Sequence, residues 1–247
     1  MIPIKTPEEI AIMVQGGRML AKIIRELKAK VEPGLTTKEL DKLAQELILN
    51  YGVKSAFKGY QGFPASLCTS INEQIVHGLP SARKLAEGDI LSLDLGIIYQ
   101  SLYIDMAVTL PIGSVSPEVR RLIRTAKKAL RRAIARTKPG KTIGDISFAI
   151  QKHVEAADFQ VVRELCGHGV GRQLHEEPEI PNFGQRHKGP ALKPGMVLAL
   201  EPMVVIGKPG IKKAPDGFAY QTADNSLSAH FEHTVAVTEK GPRVLTE

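Results

Sequence analysis

Gly88-Asp-Ile-Leu-Ser-Leu-Asp-Leu95 and Tyr103-Ile-Asp-Met-Ala-Val-Thr109 decide how this chain folds. In the first, Leu91, Leu93 and Leu95 alternate with Ser92 and Asp94, the two-residue period of a half-buried strand. In the second, Asp105, Ala107 and Thr109 share one face, and Ile104, Met106 and Val108 take the other. Two such runs predict an antiparallel hairpin turning near Tyr99-Gln100, with Asp94 opposite Asp105. No Asn-Gly or Asp-Gly pair marks the turn, so the register rests on spacing alone.

Helices precede the hairpin. From Glu8 to Lys30, Ile10, Met13, Val14, Gly17, Leu20, Ile24 and Leu27 form a helical stripe that stops at Pro33-Gly34. Thr36 and Glu39 make a capping box before Leu40, Leu43, Leu47 and Ile48. The scheme then returns. Ser116 and Pro117 open a helix with Val119, Leu122, Ile123, Ala126, Leu130 and Ala133, which ends at Pro139-Gly140. Thr142 and Asp145 cap another helix, and Lys193-Pro-Gly-Met-Val-Leu-Ala-Leu-Glu201 echoes Glu87-Gly-Asp-Ile-Leu-Ser-Leu-Asp94. The Pro-Gly pairs lie 106 positions apart, and Asp94 and Glu201 lie 107 apart. An offset this constant reads as an internal duplication within one domain, roughly 5–110 and 115–240, with a site between the halves. Helices followed by hairpin strands favour α+β with antiparallel pairing over a doubly wound parallel sheet. No Gly-rich phosphate loop appears.

Composition narrows the class. With 247 residues and 43% apolar content the chain can bury a full core. There is no run of eighteen apolar residues and no secretory stretch at the start, so neither a membrane span nor export is expected. Two cysteines, Cys68 and Cys166, are too few for a disulfide framework, and a cytoplasmic setting is expected. The net charge of +7 suits an acidic partner, or simply a basic soluble surface.

Four acids interrupt good strand patterns: Asp94, Asp105, Glu201 and Glu232. Each is read as lying inside an apolar strand, where an unpaired charge costs on the order of several kcal/mol. One alone could face outward or pair with a base. Four together, with no Lys or Arg in these strands, call for two divalent cations, which oxygen-rich sites suit. Histidines complete the set. His168 and His175 lie in Cys166-Gly-His-Gly-Val-Gly-Arg-Gln-Leu-His-Glu-Glu-Pro, read as a Gly-rich loop or edge strand, and His77 lies in Val-His-Gly-Leu-Pro. His153 falls in a helix stripe and His187 in a polar loop. His230 and His233 flank Glu232, with His233 facing away from it.

The ordered set Asp94, Asp105, His168, Glu201 and Glu232 resembles the five-ligand dimetal site of the pita-bread peptidases. Ser-Ile-Asn-Glu-(x)3-His-Gly-Leu-Pro, Gly-His-Gly-Val-Gly-(x)3-His-Glu-Glu-Pro, Leu-Glu-Pro-Met and Phe-Glu-His-Thr together resemble the methionine aminopeptidases over essentially the whole chain. The likeness is to the type I, bacterial-like form. No zinc-finger extension precedes the domain, and only 30 residues separate Glu201 from Glu232, too few for the type II helical insertion. Three departures stand out: Ile104 where Gly is common, and Leu174 and Phe218 where larger aromatics are usual.

The resemblance implies an α+β pita-bread (creatinase/aminopeptidase) fold, with pseudo-two-fold halves and a largely antiparallel curved sheet covered by helices. It implies a hydrolase that removes the N-terminal methionine of nascent polypeptides when the second residue is small. Two divalent ions, Co, Mn, Fe, Zn or Ni, would be held by Asp94, Asp105, His168, Glu201 and Glu232. Asp105 and Glu232 would bridge, and Asp94 would serve one ion while His168 and Glu201 complete the other. A hydroxide between ions about 3.5–4 Å apart would attack the scissile carbonyl. Glu201 would act as general base, His175 on the tetrahedral intermediate and His77 on the substrate amide. Tyr60, Phe63, Cys68, Leu174 and Phe218 would form the pocket for the methionine side chain. Phe57 is read first as core.

Arg120, Arg121, Arg124, Lys127, Lys128, Arg131 and Arg132 recur along the helix at 118–136. A solvated outer face and a docking face for ribosomal RNA are the two readings. Without interleaved aromatics, sequence-specific nucleic-acid binding is not expected. A monomer is expected. The competing functions are an X-Pro peptidase, which usually carries an extra N-terminal domain, a non-enzymatic binding protein, which would have lost ligands, and a plain RNA binder, which leaves the acids unexplained.

Overall fold

The computed structural model describes residues 1–247. Four helices carry the exterior: α1 (Pro7–Lys30), α2 (Thr37–Asn50), α3 (Pro117–Arg136) and α4 (Ile143–Glu155). Their starts follow the capping chemistry. Thr36 with Glu39 and Thr142 with Asp145 form complete capping boxes, and Ser116 accepts from the Val119 amide. A third box, Thr6 with Glu9, opens α1. No helix is long and apolar enough to cross a membrane.

Every strand pairing is antiparallel. The hairpin strands Ile90–Tyr99 and Leu102–Pro111 form one sheet with Cys68–Ile71 and Lys54–Ser55. The five-stranded sheet runs Gly241–Val244, His233–Thr238, Val197–Leu200, Cys166–Gly169, Glu176–Pro181. Leu91, Leu93, Leu95 and Ile104 pack under Leu20, Ile23, Ile24 and Leu27 of α1. Leu198, Leu200, Val235 and Val237 pack with Leu122, Leu130, Ile146 and Ile150 of α3 and α4. Because strand side chains alternate, the face left over in the hairpin is the one bearing Ser92, Asp94, Asp105 and Thr109.

The hairpin register differs from the expected one. Gln100 and Ser101 form the two-residue turn, both at positive φ (47° and 65°), as a type I′ turn requires. Asp94 therefore pairs with Ala107, and Asp105 with Gly96, so the two acids are diagonal neighbours rather than opposite. The strand around His168 is also neither loop nor edge. It pairs on both sides, with Val197–Leu200 and Glu176–Pro181. Its glycines explain this: a Cβ on Gly167 would sit 2.5 Å from the Ala199 carbonyl oxygen, so only glycine admits the neighbouring strand.

The two helix-covered sheets meet along Asp105–Thr109 and His230–Thr234. The Glu232 amide donates to the Ala107 carbonyl at 2.9 Å. The Thr234 hydroxyl donates to the Asp105 carbonyl at 2.8 Å, and the Thr109 hydroxyl to the His230 carbonyl at 2.6 Å. Parallels between the halves recur: Gly34 and Gly140 share positive φ, as do Gly88 and Gly195. Isolated bridges tie Thr36 to Lys84 and Thr142 to Ala191.

Candidate active site

At this seam lies a cavity of about 240 Å³. Asp94, Asp105, His168, Glu201 and Glu232 all line it, as do His77, His175, Tyr60, Phe63, Cys68, Leu174 and Phe218. Contrary to the sequence expectation, two of the acids do not lie inside strands. Glu201 follows the end of Val197–Leu200, and Glu232 sits in the break between Ser228–His230 and His233–Thr238. A continuous strand would fix their direction by alternation; the breaks free both to turn inward.

Ligand atoms of Asp105, His168 and Glu232 lie within 4.8 Å of one another, and so do those of Glu201, His230 and Glu232. His168 Nε2 is 3.5 Å from a Glu201 oxygen. His168 Nδ1 donates to the Gly169 carbonyl at 2.9 Å, which leaves the Nε2 lone pair facing the acids. Asp94 Oδ1 and Glu232 Oε1 are buried without any hydrogen-bond partner. No Lys or Arg pairs with any of the four acids.

Burial, and after it mutual repulsion, pushes the Asp94 and Glu232 carboxyls well above the usual range. Asp105 is raised to about 7 by burial and then by Glu201. Burial takes Glu201 to about 8. His168 falls to about 3 through burial and then the neighbouring His175. Such a set is unfavourable unless countercharge arrives, and orphaned carboxylate oxygens beside a neutral imidazole fit divalent ions.

His230, not among the ligands that the resemblance implies, places its Nε2 3.3 Å from Glu201 Oε2, and both its nitrogens lack hydrogen bonds. Its position two residues before Glu232 is the signal that the sequence carries. His233 turns away to Thr246, with Nδ1 2.8 Å from the hydroxyl. His175 stacks at 4.4 Å, edge to face, on His168, and its Nδ1 is 2.9 Å from the Tyr60 hydroxyl. His77 stands at φ 58°, its pKa lowered to about 4 by burial and then by His230, His175 and Lys213. Phe63 and Phe218 meet edge to face at 5.5 Å, beside Cys68 and Leu174. Phe57 is core and wall at once: a Cβ on Gly96 would come 2.6 Å from its ring. Gln61, Lys213, Gly217 and Tyr220 also line the cavity without any local sequence signal.

Residues 11–239 match metallopeptidase family M24, and the chain belongs to that family. Its place there is with the bacterial methionine aminopeptidases. It is 46% identical to methionine aminopeptidase 1 of Bacillus subtilis, covering 100% of this chain and 99% of the relative. It is 42% identical to methionine aminopeptidase of Escherichia coli K12, covering 99% and 94%. A crystal structure of methionine aminopeptidase from Thermotoga maritima superposes with a TM-score of 0.98 at 45% identity, covering all of both chains. The prolidase of Pyrococcus furiosus shares the fold, with a TM-score of 0.77 at 24% identity over 99% of this chain and 65% of that one. The chain has the pita-bread fold and is a metal-dependent aminopeptidase.

Proposed function

We propose that the cavity removes the first methionine from polypeptides whose second residue is small, with Asp94, Asp105, His168, Glu201 and Glu232 holding two divalent ions. The observation that carries this reading is the cluster of four acids, with unpartnered oxygens on Asp94 and Glu232, in an aromatic and sulfur-lined cavity. When bound, the ions supply a water-derived nucleophile at neutral pH and polarise the scissile carbonyl.

The chain's own groups do the rest. The Tyr60 hydroxyl lies 2.9 Å from His175 Nδ1; with the tyrosine as donor in that bond, His175 carries its proton on Nε2 and offers it to the developing oxyanion. His175 is kept neutral by burial, so it donates without adding charge. Glu201 takes and returns the proton at its carboxylate, which His168 and His230 flank. His77 bonds the substrate amide. Phe63, Phe218, Tyr60, Cys68 and Leu174 enclose the first side chain, and an unbranched, polarizable thioether suits such walls.

The Gly34/Gly140 and Gly88/Gly195 pairs support an internal duplication of roughly 5–110 and 115–240 within a single domain. On α3 the exposed cations, among them Arg124, Lys128 and Arg131, form no ion pairs, which supports ribosome contact through 118–136. Two free cysteines suit a cytoplasmic setting, and a monomer is the proposed state.

The test is cleavage of Met-Ala-Ser, Leu-Ala-Ser and Met-Ile-Ser with defined metals. Met-Ala-Ser should be cut, Leu-Ala-Ser at least about tenfold less well because overpacking costs about 1–3 kcal/mol, and Met-Ile-Ser almost not at all. Equal kcat/KM for Met and Leu would remove the methionine-pocket reading.

A further inference from the structure

Lys213 is the one Lys or Arg that lines the active-site cavity. It ends the strand Ile211–Lys213, where it pairs with Tyr220; Tyr220 pairs in turn with Val76, the residue before His77. This three-strand ladder fixes Lys213 on the His77 side of the mouth. The ammonium lies 5.8 Å from the centre of the Tyr220 ring. That ring meets His77 at 6.0 Å, inclined at 64°. The side chain is exposed, and no carboxylate of the protein pairs with it. Its neighbour Lys212 is engaged elsewhere, donating to Asn225 Oδ1 at 2.7 Å. The mouth thus carries one positive charge, anchored by strand pairing and an aromatic face, with no internal partner.

We propose that Lys213 is a specificity-determining residue that reads an acidic side chain just beyond the scissile bond, favouring substrates with Asp or Glu at the third or fourth position. The inference rests on this cavity being the peptide site. With the first side chain against the aromatic wall and the scissile bond at the acids, the rest of the substrate leaves through the mouth. An extended chain advances roughly 3.3–3.6 Å per residue, so positions three and four lie roughly 7–10 Å from the first. A carboxylate there meets an unpaired ammonium; a lysine there meets a like charge.

The experiment compares Met-Ala-Glu-Gly, Met-Ala-Gln-Gly and Met-Ala-Lys-Gly as C-terminal amides on the metal-loaded enzyme. Amidation removes the terminal carboxylate, so only the side chain differs. The Glu peptide should exceed the Gln peptide in kcat/KM by about two- to fivefold at low ionic strength. The gain should lie in KM and shrink toward parity at about 0.5 M salt. Lys213→Met should abolish the preference, and Lys213→Glu should favour the Lys peptide. Lys240→Met, at an exposed turn, should keep the preference. A preference that survives Lys213→Met, or that Lys240→Met removes equally, overturns the inference while the site reading stands. Failure of the unaltered enzyme to cut any of the three overturns both.

Discussion

Replacing Glu232 by glutamine should move the stability of the protein in opposite directions with and without metal. One Glu232 oxygen and one Asp105 oxygen lie within 4.8 Å, and Glu232 is 2% exposed. Two unit charges at that distance repel by about 3.5 kcal/mol at an effective dielectric of about 20. Protons shared among the crowded acids relieve part of this, leaving about 1–3 kcal/mol to be gained by the amide in the stripped protein. For a chain of this size that raises Tm by roughly 2–10 °C. With metal the sign reverses. Ions held at a hundredfold excess over Kd contribute about 2.7 kcal/mol, and the variant should forfeit much of it if Glu232 is one of their ligands. The assay is thermal unfolding in chelator and in excess Mn, beside metal content by atomic absorption and Met-Ala-Ser cleavage. A variant that melts lower in both conditions, or that keeps two ions and full activity, would refute the reasoning.

His175→Ala should lower kcat by about 10²-fold while metal stoichiometry is retained, because its bond is to the transition state; loss of metal would make it a ligand. Reversing Arg124, Lys128 and Arg131 to Glu should weaken a salt-sensitive association with ribosomes and leave tripeptide cleavage unchanged, as co-sedimentation over a salt series would read. Gly17→Ala should destabilise the protein by about 1–3 kcal/mol in denaturant melts, since the new methyl collides with the Leu245 carbonyl oxygen.

Period and capping made most of the fold legible. Leu91, Leu93 and Leu95 announced a strand, and Thr36, Ser116 and Thr142 announced helix starts. The hairpin register escaped because Gln100 and Ser101 hold the left-handed turn without the glycine or asparagine that usually signals it. The four acids of the cavity stood out because a charge in an apolar run needs a reason. His230 did not, because a histidine beside a strand acid has ordinary uses. Lys213 reaches the cavity only through two strand pairings that bring 213, 220 and 76 together. No local pattern encodes that meeting.

The stitching between distant segments also sets a timetable. Lys5 in the opening arm forms a buried ion pair with Glu176, and α1 packs Gly17 against Leu245. Asp105 is fastened by Thr234, and the acid cluster lacks its last member until Glu232 is made. Synthesis from the N-terminal side therefore makes α1 early but leaves Gly17 without its Leu245 neighbour until that residue appears. Contacts of such sequence separation fold slowly, because the loop must close before the contact repays it. Until Glu232 has been made and its segment has joined Ala107, the cavity at the seam lacks one of its four acids.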